Sequence, residues 1–566
     1  MASISRFLGS CALLILACQP ARDPAQLVVA VDAPVRDLDP RLAVDGPSAR
    51  LSRLIFQGLT QVDEHGAPAL DLATELTQAG DALHYHATLR PGVRFHDGHA
   101  VTAADVAFTY QTVLDPAFGT PITGEFRKRF ASVTADPRDP LVVYFVLRRP
   151  VATLWTDLVL GIAPAHLLRD QPNRRFAGPP VGSGPWRVVG AAAGERVTVQ
   201  RVVPGAWPQQ LQFVAIGDEG ARALSVLGGG ADVAWAGLSP AMVQGAAQTG
   251  RATLHSAPGI AFTYLGCNLR TPPLHQLAVR RALALALDRP ALVQTVLGGL
   301  AVPADQMFAP GHWAHLGLPP LPFDPARAAQ LLDEAGLRPG PDGVRLRLEL
   351  KVSTSRMRRQ VARALAEQWR KVGIDVAVRP FELATFLADV RAGRFELFLL
   401  QLPEPFEPDQ LGWMLHTGNA AVKAPDLNSA SPYARLDRRG IVPTAWDPAL
   451  AADPACAQWQ RGVIDDGNAA FALAPLGLGS SPGSANRTGY SNAWVDCWLD
   501  RGAAALQRPL RRQLYQQVQR QVAEDLPIIP LWWEHQVALV GPEVRLPQLP
   551  ADGRYAALGL ATRVAP

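Results

Sequence analysis

Helices in the second half of this chain are marked by their end signals, and each is followed by a strand-like run, which restricts the fold to alternating α and β elements. The clearest helix lies between Asp324 and Gly336. Asp324 has N-cap chemistry, Pro325 stands at the first turn where its missing N–H costs nothing, and Gly336 supplies the stop. Val279 to Leu287 and Arg356 to Val372, ahead of Gly373, carry the same helical spacing. The opening third is mixed as well. Leu27 to Val31 reads as a strand, Pro47 to Gly58 as a helix with Leu51, Leu54 and Ile55 on one face, and Leu83 to Leu89 alternates. Thr102 and Asp105 form a capping-box pattern ahead of Val106, Tyr110 and Val113. Leu141 to Leu147 and Leu526 to Val540 read as strands and Pro509 to Val522 as a helix, whereas from Gly418 to Ala485 the periodicity fades.

A chain of 566 residues exceeds what one core can organise, so two or three domains are expected. Its 54 basic and 50 acidic side chains leave a net charge of +4, no footprint for nucleic acid. The N-terminus is different material: Arg6, an apolar run from Phe7 to Ala17, then Cys18. The run is too short to span a bilayer and reads as a secretory signal. Ile15-Leu16-Ala17-Cys18 resembles a bacterial lipobox, so residues 1–17 are expected to be removed, Cys18 to carry lipid, and residues 18–26 to act as a tether. Past this segment no apolar run reaches membrane-spanning length. Of five cysteines, Cys267, Cys456 and Cys497 remain in the body, without any C-x-x-C pair that would suggest a zinc ribbon or a thioredoxin-like site. An oxidising compartment then permits one disulfide, for which Cys456 and Cys497 are the candidates, and leaves Cys267 free.

The order of segments resembles the oligopeptide/dipeptide-binding family of ABC-importer solute receptors, also described as family 5 extracellular solute-binding proteins. The longest match is Leu89-Arg90-Pro91-Gly92-Val93-Arg94-Phe95-His96-Asp97-Gly98 with Thr102 to Val106 behind it. Leu38-Asp39-Pro40, Ile55 to Leu59, Pro180-Val181-Gly182-Ser183-Gly184-Pro185-Trp186, Cys267-Asn268, Asp324 to Gly336, Tyr490-Ser491-Asn492 and Glu524 to Leu531 follow in family order. These blocks are turn and cap residues that identify a scaffold. The resemblance implies an α/β, two-lobed periplasmic-binding-protein type II fold of the large three-domain kind with a hinge between the lobes. It implies a discontinuous first domain (27–44, 180–264 and 528–566), an inserted domain (45–179), and a C-terminal lobe (265–527) that holds an insertion at about 418–485. The hinge is expected near Tyr264 to Asn268 and Leu526 to Leu531.

Function follows from the same resemblance: a monomeric, lipid-anchored receptor, periplasmic or on the cell surface, that binds a short peptide between its lobes and delivers it to an ABC permease and ATPase. No cofactor and no nucleic-acid partner are implied. A peptide ammonium in a desolvated cleft needs a carboxylate partner. Aligning Glu407-Pro408-Asp409 with the family's turn puts Glu404 there, against the reading of Glu404 as an exposed loop acid. Trp186, Asn268 and Trp532 are further candidates for the cleft wall, each weighed against a packing or turn role, and Trp413 reads as an anchor. The Cys456–Cys497 disulfide would tie the insertion to the C-terminal lobe near the cleft entrance. A nickel complex or a sugar as cargo, and a sensor in place of a transport receptor, are the alternatives. A hydrolase is disfavoured because no G-x-S-x-G, H-E-x-x-H or G-x-x-x-x-G-K-[ST] motif occurs, and no metal site is expected, since His84, His86, His96 and His99 fall on mixed faces.

Overall fold

The computed structural model describes residues 23–63, 67–192, 195–235, 237–403, 405–417 and 486–564. The expectations for the N-terminal signal, Cys18, Glu404, Cys456 and the 418–485 insertion fall outside the described residues. The end signals read from sequence are used as written. The Asp324 carboxylate accepts the Arg327 N–H at 2.8 Å ahead of the helix Pro325–Glu334, and Gly336 adopts φ +81°. Asp105 accepts both the backbone N–H and the hydroxyl of Thr102, at 2.9 and 2.8 Å, and opens the helix Ala103–Leu114.

Eleven strands form one continuous sheet. At one end lie Ile374–Phe381, Leu346–Ser353 and Leu397–Leu402; at the other lie Val233–Trp235, Gln26–Val31, Gln210–Ala215, Arg196–Arg201 and Trp186–Ala192. Two long antiparallel strands, Thr253–Cys267 and Ile528–Val540, join the halves, and Ala301–Pro303 pairs beside them. Residues between the first two segments of this sheet build a separate four-stranded antiparallel sheet, Ala73–Gln78, His84–Leu89, Val142–Leu147 and Phe130–Ala135. Its core packs Tyr110 edge-on against Phe145, with ring centroids 5.5 Å apart.

The two long strands change partners midway, and that is where the lobes meet. Gln536 to Val540 pair with Ala257 to Thr253, and Ala538 to Val540 pair on their other side with the first-lobe strand Val233–Trp235. Beyond a register shift between Ala257 and Ala261, Ala261 to Gly266 pair with Glu534 to Ile528, and Phe262 to Cys267 pair with the C-terminal strand Leu397–Leu402. A β-bulge lets one strand bend and twist locally. Here it brings the chains so close that a Cβ on Gly259 would stand 2.3 Å from the Glu534 carbonyl oxygen. The crossover therefore sits at Ala257–Ala261 opposite Glu534–Gln536. The segments where the hinge is expected, Tyr264–Asn268 and Leu526–Leu531, lie several residues from this crossover, and a second register shift falls at Thr263–Tyr264.

Successive strand residues face opposite ways, and the second crossing strand shows the consequence. Trp532 enters the core with Leu365 and Trp369, while Trp533 enters the opposite one with Tyr515 and Trp498 and donates its indole N–H to the Met307 carbonyl at 3.0 Å.

Candidate ligand site between the lobes

A cavity of about 570 Å³ lies between the two lobes. One wall comes from the helix Thr123–Arg129 and the short helix Leu154–Asp157; the other comes from the helices Asp409–Leu415, Ala493–Ala504 and Arg508–Asp525. The lobes touch beside it, where the Ala152 N–H donates to the Ala503 carbonyl at 3.2 Å. Its size falls within the usual range of small-ligand sites, about 300–1,000 Å³.

The lining is rich in charge: Glu125, Asp157, Glu407, Asp409 and Asp500 face Lys128, Arg129 and Arg149. Arg511, buried on the helix Arg508–Asp525, binds Glu407 and also reaches Asp409 at 2.7 Å, and Tyr515, one turn further on, donates its hydroxyl to Asp409. Across the cavity Arg129 pairs with Asp157. Burial pushes the Asp157 carboxyl up to about 6; Arg129 opposes that shift, and the charge of Asp409 in the other lobe adds to it. Burial likewise raises the Glu407 carboxyl, against the pull of Arg511 and with the repulsion of Asp409. Acids of both lobes thus face one another at close quarters, and a cation or a proton entering here relieves their repulsion.

Around these acids the wall is pinned. His312 Nε2 donates to the Phe406 carbonyl at 2.8 Å, and burial holds this imidazole down at about 4, so it stays neutral. His416 behaves oppositely. Burial alone would lower it, yet its contact with Asp500 and the charges of Asp496 and Asp500 raise it overall. Trp413, expected to be an anchor, is 48% exposed on the cavity wall, with the Arg487 guanidinium 5.8 Å from its ring centre.

Three residues expected on the cleft wall are enclosed elsewhere. Trp186, 2% exposed, packs among Phe213 and Tyr555 under the Arg201 guanidinium, which lies 4.7 Å from its ring centre. Trp532 is fully buried in the C-terminal core. Asn268 closes a turn: its amide donates to the Gly393 and Phe395 carbonyls at 3.1 and 2.8 Å, and its oxygen accepts the Arg270 Nε–H at 3.0 Å. None of the three lines this cavity, and the contacts of each are those of packing or of a turn. Glu404 lies outside the described residues; its neighbours from Pro405 to Asp409 form the pinned wall just described. Cys497 takes part in a disulfide whose partner is likewise outside them, and Cys267 is free, its thiol pushed up to about 12 by burial.

Sequence reasoning passed over Arg511, Tyr515, Arg129 and Asp157. The helix did carry a signal, since Arg511, Leu514, Tyr515 and Val518 fall on one face and place an arginine among core positions. Buried arginine is rare without a partner.

Comparison with known proteins agrees with this architecture. The sequence profile of bacterial extracellular solute-binding proteins, family 5 (middle region), matches residues 67–421. Protein XP55 of Streptomyces lividans is 32% identical over 343 residues, 57% of this chain and 61% of that protein's length. The glutathione-binding protein GsiB of Escherichia coli K12 is 28% identical over 397 residues, 68% of this chain and 74% of its own length. The oligopeptide-binding protein AppA of Bacillus subtilis, solved in complex with a nonapeptide, shares the fold with a TM-score of 0.66 at 19% identity, covering 95% of this chain and 99% of AppA. With its two lobes, its continuous crossing sheet and a profile match over more than half its length, the chain belongs to the family 5 bacterial extracellular solute-binding proteins.

Proposed function

We propose that this protein binds a short peptide between its lobes and hands it to an ABC-type importer, held at the membrane by a lipid on Cys18. The carrying observation is the interlobe cavity, whose walls come from both lobes and whose carboxylates outnumber its cations. A ligand that contacts both walls favours the closed arrangement by its differential affinity for it, and no chemistry on the ligand is needed. GsiB, named for glutathione, and AppA, solved with a nonapeptide, support peptide as the cargo class.

Within this reading Glu404 pairs with the ligand's amino terminus, supported by its register three residues before Glu407-Pro408-Asp409. Truncating one partner of a desolvated charge pair costs about 2–5 kcal/mol. Glu404→Gln is expected to weaken binding of a free-amino tripeptide by at least thirtyfold, about 2 kcal/mol, and to leave its N-acetylated form nearly unaffected, as read by isothermal titration calorimetry. Equal losses for both peptides would remove Glu404 from the site, and peptides that fail to bind the parent protein at millimolar concentration would remove the cargo assignment.

The anchor has its own test. Cys18→Ala is expected to move the protein from the membrane fraction to a soluble or unprocessed form; unchanged membrane association of the variant would reject lipidation at that residue.

A further inference from the structure

The match phrase that identifies the scaffold ends in a surface cluster that peptide capture does not use. Asp97 stands in the turn closed by Gly98, which adopts φ +93°. One carboxylate oxygen accepts the His99 backbone N–H at 3.1 Å and lies 3.3 Å from His99 Nδ1; the other lies 2.7 Å from Nε2 of His166. The two imidazoles stack with ring centres 4.0 Å apart, and the donor atoms of all three residues lie within 4.8 Å of one another.

The frame around the cluster is built from separate parts of the inserted domain. His166 rides on the short helix Ala165–Leu168, and the first N–H of that helix donates to Asp105 at 2.8 Å. The ring of buried Phe95 lies 5.8 Å from the His166 ring. His96, next to Asp97, is committed elsewhere: its Nδ1 accepts the Gly182 N–H at 3.2 Å and its Nε2 donates to the Gly184 carbonyl at 3.0 Å. That pairing holds the loop and leaves Asp97 and His99 turned toward His166. His84 is also apart, bonded to Asp81 at 2.5 Å.

We infer that Asp97, His99 and His166 form a binding site for a divalent transition metal of the zinc class. Two imidazoles and one carboxylate are a common donor set for zinc, with bonds of about 2.0–2.2 Å. Three donors already gathered within 4.8 Å need only side-chain rotation to meet those bonds. His99, 63% exposed, has the freedom to turn, and solvent supplies the remaining position. His166 Nε2 lies 2.7 Å from Asp97, and a cation bound there takes the tautomer whose ring proton sits on Nδ1, so it replaces the imidazole–carboxylate contact. None of the three residues lines the interlobe cavity, so the site is independent of the cargo assignment. Sequence alone does not gather it, because His166 is 69 positions from Asp97.

Titration of the full-length chain with zinc chloride at pH 7.5, followed by calorimetry in a non-chelating buffer, tests it. The expected result is one equivalent of zinc bound with micromolar affinity, weakened at least tenfold in His99→Ala and in His166→Ala and unchanged in His84→Ala. Because His99 is exposed, its variant decides even where His166→Ala fails to fold. Absence of zinc binding by the parent chain, or undiminished binding by His99→Ala, overturns the assignment.

Discussion

Gly182→Ala is expected to lower the stability of the first lobe by about 3 kcal/mol or more, at the upper end of overpacking costs. A Cβ at this position would stand 2.0 Å from the Ile55 carbonyl oxygen and 2.7 Å from its carbon, both backbone atoms at the end of the helix Gly46–Ile55. Neither side can retreat cheaply. The same Ile55 oxygen accepts the Gly184 N–H at 2.7 Å, and the Gly182 carbonyl accepts the His96 N–H at 2.8 Å. The glycine-rich loop is thus a contact between three stretches of backbone, and the substitution must break one of its bonds. Gly46→Ala, where nothing lies within 4 Å, is the matched control and is expected to be neutral. Urea unfolding of the two variants checks the contrast; equal midpoints would show that the loop yields more easily than its bonds imply.

Arg511→Met is expected to cost about 2–3 kcal/mol, below the range for a fully buried pair, because it leaves the partly enclosed Glu407 and Asp409 without their cation. The loss should depend on pH in a direction that burial sets. A carboxyl whose folded-state pKa lies above its unfolded value stabilises the fold through the proton it keeps. That contribution is fully present below the unfolded pKa and is lost as the pH rises through the folded one. Glu407 is already raised, and Asp157 titrates at about 6, so removing the guanidinium widens the window upward. The deficit of the variant relative to the parent is therefore larger at pH 8 than at pH 5. Chemical denaturation at both pH values measures it, and a deficit that does not change with pH would mean that these acids are not what the arginine holds together.

Local chemistry was legible in the sequence. The cap at Asp324 and the box at Thr102 and Asp105 need only residues a few positions apart, and the helices begin where those signals stand. Non-local pairing was not legible. The register shift at Ala257–Ala261 depends on which strand lies opposite, and no residue type announces it. Trp186 and Trp532 suit a cleft wall as aromatic residues, yet burial against Tyr555 or Trp369 is decided by elements 369 and 163 positions away. The acid cluster shows the same limit: Asp409 stood beside the expected site, whereas Arg511 joins it from 102 positions downstream.

The strand Ile528–Val540 also sets an order of assembly. It supplies the interior of the sheet to both lobes: its second half lies between Thr253–Ala257 and Val233–Trp235, and its first half closes against Ala261–Gly266. A ribosome that has released residues 1–500 has delivered nearly every helix and strand of the molecule, yet both halves of the sheet still lack a central member. Pairings this distant in sequence form slowly, since loop closure must precede the contacts that reward it. The nascent chain therefore cannot complete the central sheet of either lobe until residues 528–540 have emerged.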